Sequence, residues 1–341
     1  MRGVGARAPT LLAQYKMANI INQMMGWLFS NPLYFHLFIV VASLAIIVKA
    51  ADYLVEGVTH YSEKLGLSDY ITGMIVVALA ASVPELVSSL TGLFAAEPGI
   101  IFGTIIGSNL AGLTIGIGIL ALVGRKIDLK SKVLTQTEMV VFFFSMVPFI
   151  LLADGGLNRI DGAVMVLLYL SFVAMLWKKE GEMGTIKKSV KLKRLYLDGL
   201  LFTLALAAII MSARWMIFSA IEASNIMGIS TYYVSLIVIG IGSTIPDLTV
   251  SIRAILKGHS DVGLGDTLGS TLTKSLLFLG VFALIKPLTI DFTMVLTAIV
   301  FSVISMGIVF YYTEIGSMAW KGGLIMLGIF TAFLIIELMI R

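Results

Sequence analysis

The sequence predicts an all-α polytopic membrane protein, with ten transmembrane helices arranged as two inverted-topology five-helix repeats. Three observations predict it. The 341 residues are 58% apolar, with a mean hydropathy of +1.00, too apolar for a soluble chain of this length. Ten apolar runs of about spanning length (~20 residues) follow one another. Finally, a polar pattern inside these runs occurs twice: Pro84 recurs as Pro246 and Gly107 as Gly269, a constant offset of 162.

Residues 1–32 are mixed in polarity and lack an apolar signal-peptide core, so they read as a lead-in before the first span. The expected spans are 33–57, 70–95, 100–123, 134–153, 159–177, 198–222, 232–257, 262–285, 289–311 and 317–340. Residues 33–177 form the first repeat, 178–197 a basic linker and 198–341 the second repeat. Five is odd, so the second repeat crosses the bilayer in the opposite sense, an architecture that places an ion site near the midplane. The linker carries Lys178, Lys179, Lys187, Lys188, Lys191, Lys193 and Arg194, and the 3–4 loop Arg125, Lys126, Lys130 and Lys132. Loops 2–3 and 6–7 have no Lys or Arg. The charge bias therefore puts the linker in the cytoplasm and both termini outside. The net charge of +4 sits in these loops and gives no reason to expect nucleic acid; the lipid bilayer and small inorganic cations are the expected partners, and a monomer is the simplest assembly. Zero cysteines exclude disulfides and thiolate metal sites.

The repeated pattern carries the chemistry. Ser82-Val83-Pro84-Glu85-Leu86 recurs as Thr244-Ile245-Pro246-Asp247-Leu248, and Gly103 through Asn109 recurs as Gly265 through Thr271. Upstream, Gly66, Ser68, Tyr70, Ile75 and Val76 recur as Gly228, Ser230, Tyr232, Ile237 and Val238. A proline inside a helix removes one donor and crowds the carbonyl a turn earlier. Freed carbonyls are costly in lipid but suit a buried cation. Glu85 and Asp247 follow at once, and inverted symmetry faces them across the midplane. Carboxylates with carbonyl and hydroxyl oxygens make a hard-oxygen site of the kind calcium prefers. The plainer explanation is a proline kink with a structurally hydrogen-bonded acid, but intramembrane acids are expensive and this one occurs twice in register. Gly107 and Gly269 allow close backbone approach, for which simple helix packing is an equally good explanation; Ser108 and Ser270 offer hydroxyls.

With these residues in place, the chain resembles the cation/calcium antiporter superfamily, specifically the prokaryotic type of its sodium/calcium exchanger branch. That family's repeats read approximately G-T-S-x-P-E, then G-N-x-x-G-S-N-x-x-N or -D; here the first motif reads Ala80 through Glu85 and Gly242 through Asp247. Lys49-Ala50-Ala51-Asp52-Tyr53-Leu54-Val55 in the first helix is also similar. The resemblance implies an antiporter with no prosthetic cofactor, moving calcium or a similar divalent cation against sodium or protons. It implies Glu85 and Asp247 as central ligands shared by both cargoes, Ser82, Thr244, Ser108 and Ser270 lining flanking sites, and backbone oxygens of Ala81 and Ser243. A gating bundle, expected to be helices 1 and 6, would move against the rest.

The sodium-site residues depart from that pattern. Four residues after the Gly-Ser serine, sodium-coupled members carry an amide in one repeat and an acid in the other; this chain has Gly112 and Lys274. Asp247 is one methylene shorter than the expected glutamate, and Asp266 is an added carboxylate whose counterpart is Thr104. Asp266, Ser270 and Lys274 recur every four residues and share one helix face. Lys274 is mid-span, where snorkelling is hard, so its ammonium is expected to take the space of a cation and pair with Asp266, Asp247 or Glu85.

Other readings are weaker. Lys49, Asp52, Glu56, Arg214, Glu222 and Arg253 suit interfacial positions, and His36, His60 and His259 lack metal-ligand spacing. Gly263-Leu264-Gly265-Asp266 matches the G-x-G-D string of intramembrane aspartyl proteases, with Asp247 as a second aspartate. That family's first aspartate follows a tyrosine, however, and its Pro-Ala-Leu is absent, so no enzyme is expected. A passive cation channel and a transport-deficient homologue are the remaining alternatives.

Overall fold

The computed structural model describes residues 31–65, 72–128, 132–183, 195–256 and 260–340. The lead-in through Ser30, the repeat residues Gly66, Ser68 and Tyr70, linker residues 184–194 and His259 lie outside these, as do the side chains of Asp52, Glu56, His60 and Arg253.

The architecture is predominantly helical. The first half runs α1 (Pro32–Leu65), α2 (Ala78–Ala81), α3 (Val83–Phe94), α4 (Pro98–Ala111), α5 (Ile117–Val123), α6 (Lys132–Leu151) and α7 (Arg159–Met183). The second runs α8 (Leu195–Met227), α9 (Thr231–Val234), α10 (Gly240–Leu256), α11 (Ser260–Leu272), α12 (Leu279–Ile285), α13 (Phe292–Ile315) and α14 (Trp320–Met339). By length and composition, six helices among the described residues can cross a membrane, and four more contain apolar stretches of 10–17 residues. Large apolar side chains such as Phe143, Leu167, Met211, Tyr311 and Leu338 face outward, as lipid contact requires.

Local chemistry sets the helix ends. Pro98 opens α4 in its first turn, where a missing N–H costs nothing. Gly316 closes α13 at φ 81°, a left-handed conformation suited to glycine. Asp291 caps the start of α13 by accepting from Thr293 N at 2.9 Å and Thr293 Oγ1 at 2.7 Å. Those side-chain and backbone hydrogen bonds hold its carboxyl below the usual aspartate range. The cap is therefore expected to stabilise α13 above the unfolded pKa near 4 and to weaken as pH falls through the lower folded value. Thermal melts of wild type and Asp291→Asn should converge at low pH.

Two features are additions to an all-helical chain. Among the described residues, four π-helical segments interrupt the rods, at Thr72–Val77, Gly112–Gly116, Ser235–Ile239 and Thr273–Phe278. The third lies at the offset of 162 from the first, within a residue at its start, and the fourth likewise from the second. Also present are two antiparallel two-stranded ladders: β1 (Lys126–Asp128) with β4 (Ser317–Ala319), and β2 (Gly156–Leu157) with β3 (Leu288–Thr289). Ile127 pairs with Met318 and Gly156 with Thr289, and the same offset converts one pair into the other.

Packing follows two apolar clusters. The larger includes Ile101, Phe102, Ile105, Leu268, Leu272, Leu276 and Phe282. Its centre is formed by Pro98–Val123 and Gly263–Ile285, each 78% buried over its most apolar stretch, against 33% for Trp320–Met339. The smaller cluster joins α1 to α8 through Val40, Ile47, Ala205, Ile209 and Ile217, and α1 with α8 is the most extensive helix pairing.

Candidate ion site

The central rods approach closely because glycine stands at their crossings. A Cβ on Gly107 would fall on the backbone carbonyl of Leu236, and one on Gly269 on that of Met74. Both carbonyls belong to π-helical segments, and the offset of 162 converts one contact into the other. Sub-ångström slack is absent at both places. The polar turns around Pro84 and Pro246 are thereby pressed against α4 and α11.

Ser82 marks the break between α2 and α3, with Pro84 in the first turn of α3 and Glu85 next to it. α10, by contrast, runs unbroken from Gly240 to Leu256, with Asp247 near its middle. Every side chain named for the site is inside: Ala81, Ser82, Glu85, Ser108, Ser243, Thr244, Asp247, Asp266, Ser270 and Lys274 are all buried. Lys274 is only 1% exposed, which rules out snorkelling.

Of the three acids available to Lys274, two hold it. Its Nζ lies 3.4 Å from Glu85 Oε1 and 3.4 Å from Asp247 Oδ2, donating to both. Both contacts are longer than the ~2.8 Å of a tight charged hydrogen bond, so the ammonium sits between the carboxylates instead of closing on one. Asp266 is within electrostatic reach of Asp247, Lys274 and Glu85, but its hydrogen bond is elsewhere. Ser251 Oγ, 3.1 Å from Gly263 O, lies 2.8 Å from Asp266 Oδ2.

The hydroxyls differ in what they bond. Ser108 Oγ donates to Ile105 O and Ser270 Oγ to Thr267 O, both at 3.2 Å and again related by the offset. Thr244 Oγ1 lies 2.9 Å from Gly240 O and 3.3 Å from Ser108 O, joining α10 to α4, and Ser243 Oγ donates to Gly240 O at 3.2 Å. Ser82 Oγ, Ser88 Oγ, Ser89 Oγ, Thr104 Oγ1, Glu85 Oε2, Asp247 Oδ1 and Asp266 Oδ1 are buried with no hydrogen-bond partner among the described residues. Buried oxygens gathered in this way suit coordination of a cation or water.

A small cavity adjoins Asp247, with room for about one water-sized particle. Thr244, Asp247, Ser251, Thr267 and Ser270 give it oxygens, and Gly112 and Gly116 open it. A Cβ on Gly112 would meet nothing within 4 Å. The missing amide therefore leaves space that no other side chain refills. Among the described residues, no group of three or more His, Cys, Asp or Glu side chains is gathered as a metal cluster; the carboxylates that meet are the pair bridged by Lys274.

Sequence reasoning missed Ser251, although a signal existed: it repeats Ser89 at the offset of 162. It also missed the interhelical bonds Asn109 Nδ2 to Ser275 Oγ at 2.6 Å and Tyr169 Oη to Thr273 Oγ1 at 3.1 Å. Ser251→Ala removes the donor that Asp266 Oδ2 has among the described residues and should cost about 1–3 kcal/mol. Ser89→Ala, whose hydroxyl bonds nothing described, should cost clearly less. Melting temperatures in detergent would compare them.

Comparisons with known proteins give the family and the fold. The sodium/calcium exchanger protein family model matches residues 35–178 and 198–339, in two blocks separated by the linker. The inner membrane protein YrbG of Escherichia coli is 30% identical over 263 residues, covering 74% of this chain and 81% of that protein. The sodium/calcium exchanger MaX1 of Methanosarcina acetivorans is 25% identical over 344 residues, covering 87% and 97%. A solved structure of the sodium-calcium exchanger NCX_Mj, soaked with zero Na+ and Ca2+, superposes with a TM-score of 0.66 at 20% identity, covering 90% of this chain and 99% of that one. With a family match spanning both halves, relatives of comparable length and the same fold, the chain belongs to the sodium/calcium exchanger protein family and is an integral membrane protein.

Proposed function

We propose that the chain is a secondary antiporter that exchanges calcium, or a similar divalent cation, for sodium or protons by alternating access, with Glu85 and Asp247 as the central ligands. The observation that carries this reading is the buried meeting of those two carboxylates around a positive charge, at 3.4 Å on each side. A site already shaped to hold one buried cation between two acids is suited to a divalent ion. Both cargoes need the same pair, so competition for it enforces exchange.

The ten-span inverted repeat is part of the proposal. Support comes from contacts that recur in pairs at the offset of 162: the glycine crossings, the serine bonds, the π-helical segments and the ladders. A two-fold relation between the halves produces such reciprocity. Alternating access is supported by the extensive pairing of α1 with α8, whose apolar cluster is distinct from the larger one although it also takes in Ile100, Val234 and Ile239. In this reading Ser82, Thr244, Ser108 and Ser270, with carbonyls of Ala81 and Ser243, provide further oxygens for the ions.

The test is radioactive calcium uptake into proteoliposomes, driven separately by a sodium gradient and by a pH gradient. Uptake under one of them is expected. Calcium entry with no opposing gradient, at channel-like rates, would favour a passive pore; no entry under any gradient would leave a transport-deficient homologue.

A further inference from the structure

We infer that Lys274 is a tethered counter-cation: its ammonium takes the place of one transported monovalent ion, so the exchanger moves one fewer monovalent cation per divalent ion than the same site would without it. This rests on the antiporter reading above and adds the coupling ratio to it.

The argument is electrostatic. Two bare carboxylates cannot be carried through a low-dielectric interior, because removing each charge from water costs several kcal/mol that nothing repays. An exchanger therefore returns only when cations neutralise the acids. Here one positive charge is supplied by the chain itself, buried and placed between Glu85 and Asp247. It cannot leave with the cargo. The return state thus needs one fewer soluble cation, while an arriving divalent ion must displace the ammonium from the acids it bridges. Gly112 and the small cavity beside Asp247 fit this picture, because the position that would offer an amide offers only space. Asp266, an acid without a counterpart in the first half, gives the lysine a third carboxylate within electrostatic reach when the divalent ion holds the other two.

The coupling ratio is a thermodynamic quantity, independent of turnover rate and of the fraction of protein that inserts correctly. Proteoliposomes are clamped at zero membrane potential under a tenfold gradient of whichever monovalent ion drives wild-type uptake, and the calcium gradient at zero net flux is measured. Lys274→Gln and Lys274→Met should each sustain a calcium gradient about tenfold steeper than wild type, because one more monovalent ion enters the exchange. Lys274→Arg should keep the wild-type ratio, whatever its rate. The second measurement is equilibrium calcium binding in detergent, where Lys274→Gln should bind at least about tenfold more tightly once the competing ammonium is gone. An unchanged ratio in both neutral variants overturns the inference and leaves the antiporter intact. A monodisperse Lys274→Gln protein that binds calcium no better than wild type overturns it too. Absence of calcium uptake by wild type under either gradient overturns the antiporter reading and this inference together.

Discussion

Glu85→Gln should reduce gradient-driven calcium uptake by at least about a hundredfold, to the level of empty liposomes. The substitution preserves shape but removes one of two charges that meet at the centre of the molecule. Losing a charged ligand from a buried site costs about 3 kcal/mol or more, and each 1.4 kcal/mol is a factor of ten. The variant should still fold, because Glu85 Oε2 has no described partner to lose and an amide can still accept from Lys274. Asp247→Asn should behave alike. Uptake above one tenth of wild type in either variant, with both proteins inserted at normal levels, would falsify their assignment as central ligands.

The second large effect is structural. Gly269→Ala and Gly107→Ala should each destabilise the protein by about 3 kcal/mol, read as a fall in melting temperature and in recovered monodisperse protein. At both positions the new methyl would land on a backbone carbonyl of a π-helical segment, which cannot rotate away as a side chain can. Gly112→Ala is the internal control. Its Cβ faces open space and its backbone is already helical, so alanine should be neutral or stabilising by about 1 kcal/mol. Equal losses at all three positions would show that the crossings are not what glycine serves.

The broad outline was legible because a bilayer makes polarity conspicuous. In runs of Ile, Leu, Val and Phe, a Pro-Glu or Pro-Asp pair stands out, and its recurrence at one offset turned a hint into a pattern. Burial of Lys274 followed from its mid-span position. The choice among its three acids did not, since helix periodicity puts Asp266 and Lys274 on one face without saying which helices cross there. The π-helical segments were illegible for a different reason. Two of them carry the carbonyls met by Gly107 and Gly269 across the helix crossings, which no single stretch of sequence reveals, and Thr72–Val77 reads as any other apolar stretch. Strands of two or three residues such as Gly156–Leu157 are equally silent, since a ladder that short has no periodicity to detect. The bond from Ser251 to Asp266 lay within reach, because comparing the halves position by position isolates the serine pair 89 and 251.

The two ladders bear on how such a protein can be assembled. β1 finds its partner in the second half and β2 likewise, so neither half satisfies its own edge strands. Because the pairings interconvert at the offset, the first half holds one member of each ladder, each the counterpart of the other's partner: Ile127 in β1 pairs with Met318, the counterpart of Gly156, and Gly156 in β2 pairs with Thr289, the counterpart of Ile127. Two identical copies of such a half, inserted head-up and head-down in one bilayer, could close both ladders on each other. In the proposed inverted-repeat reading, fusion of the halves into one polypeptide would remove the need for that dual insertion and free each copy to diverge, so that a lysine and an extra aspartate stand in one half with a glycine and a threonine at the matching positions of the other.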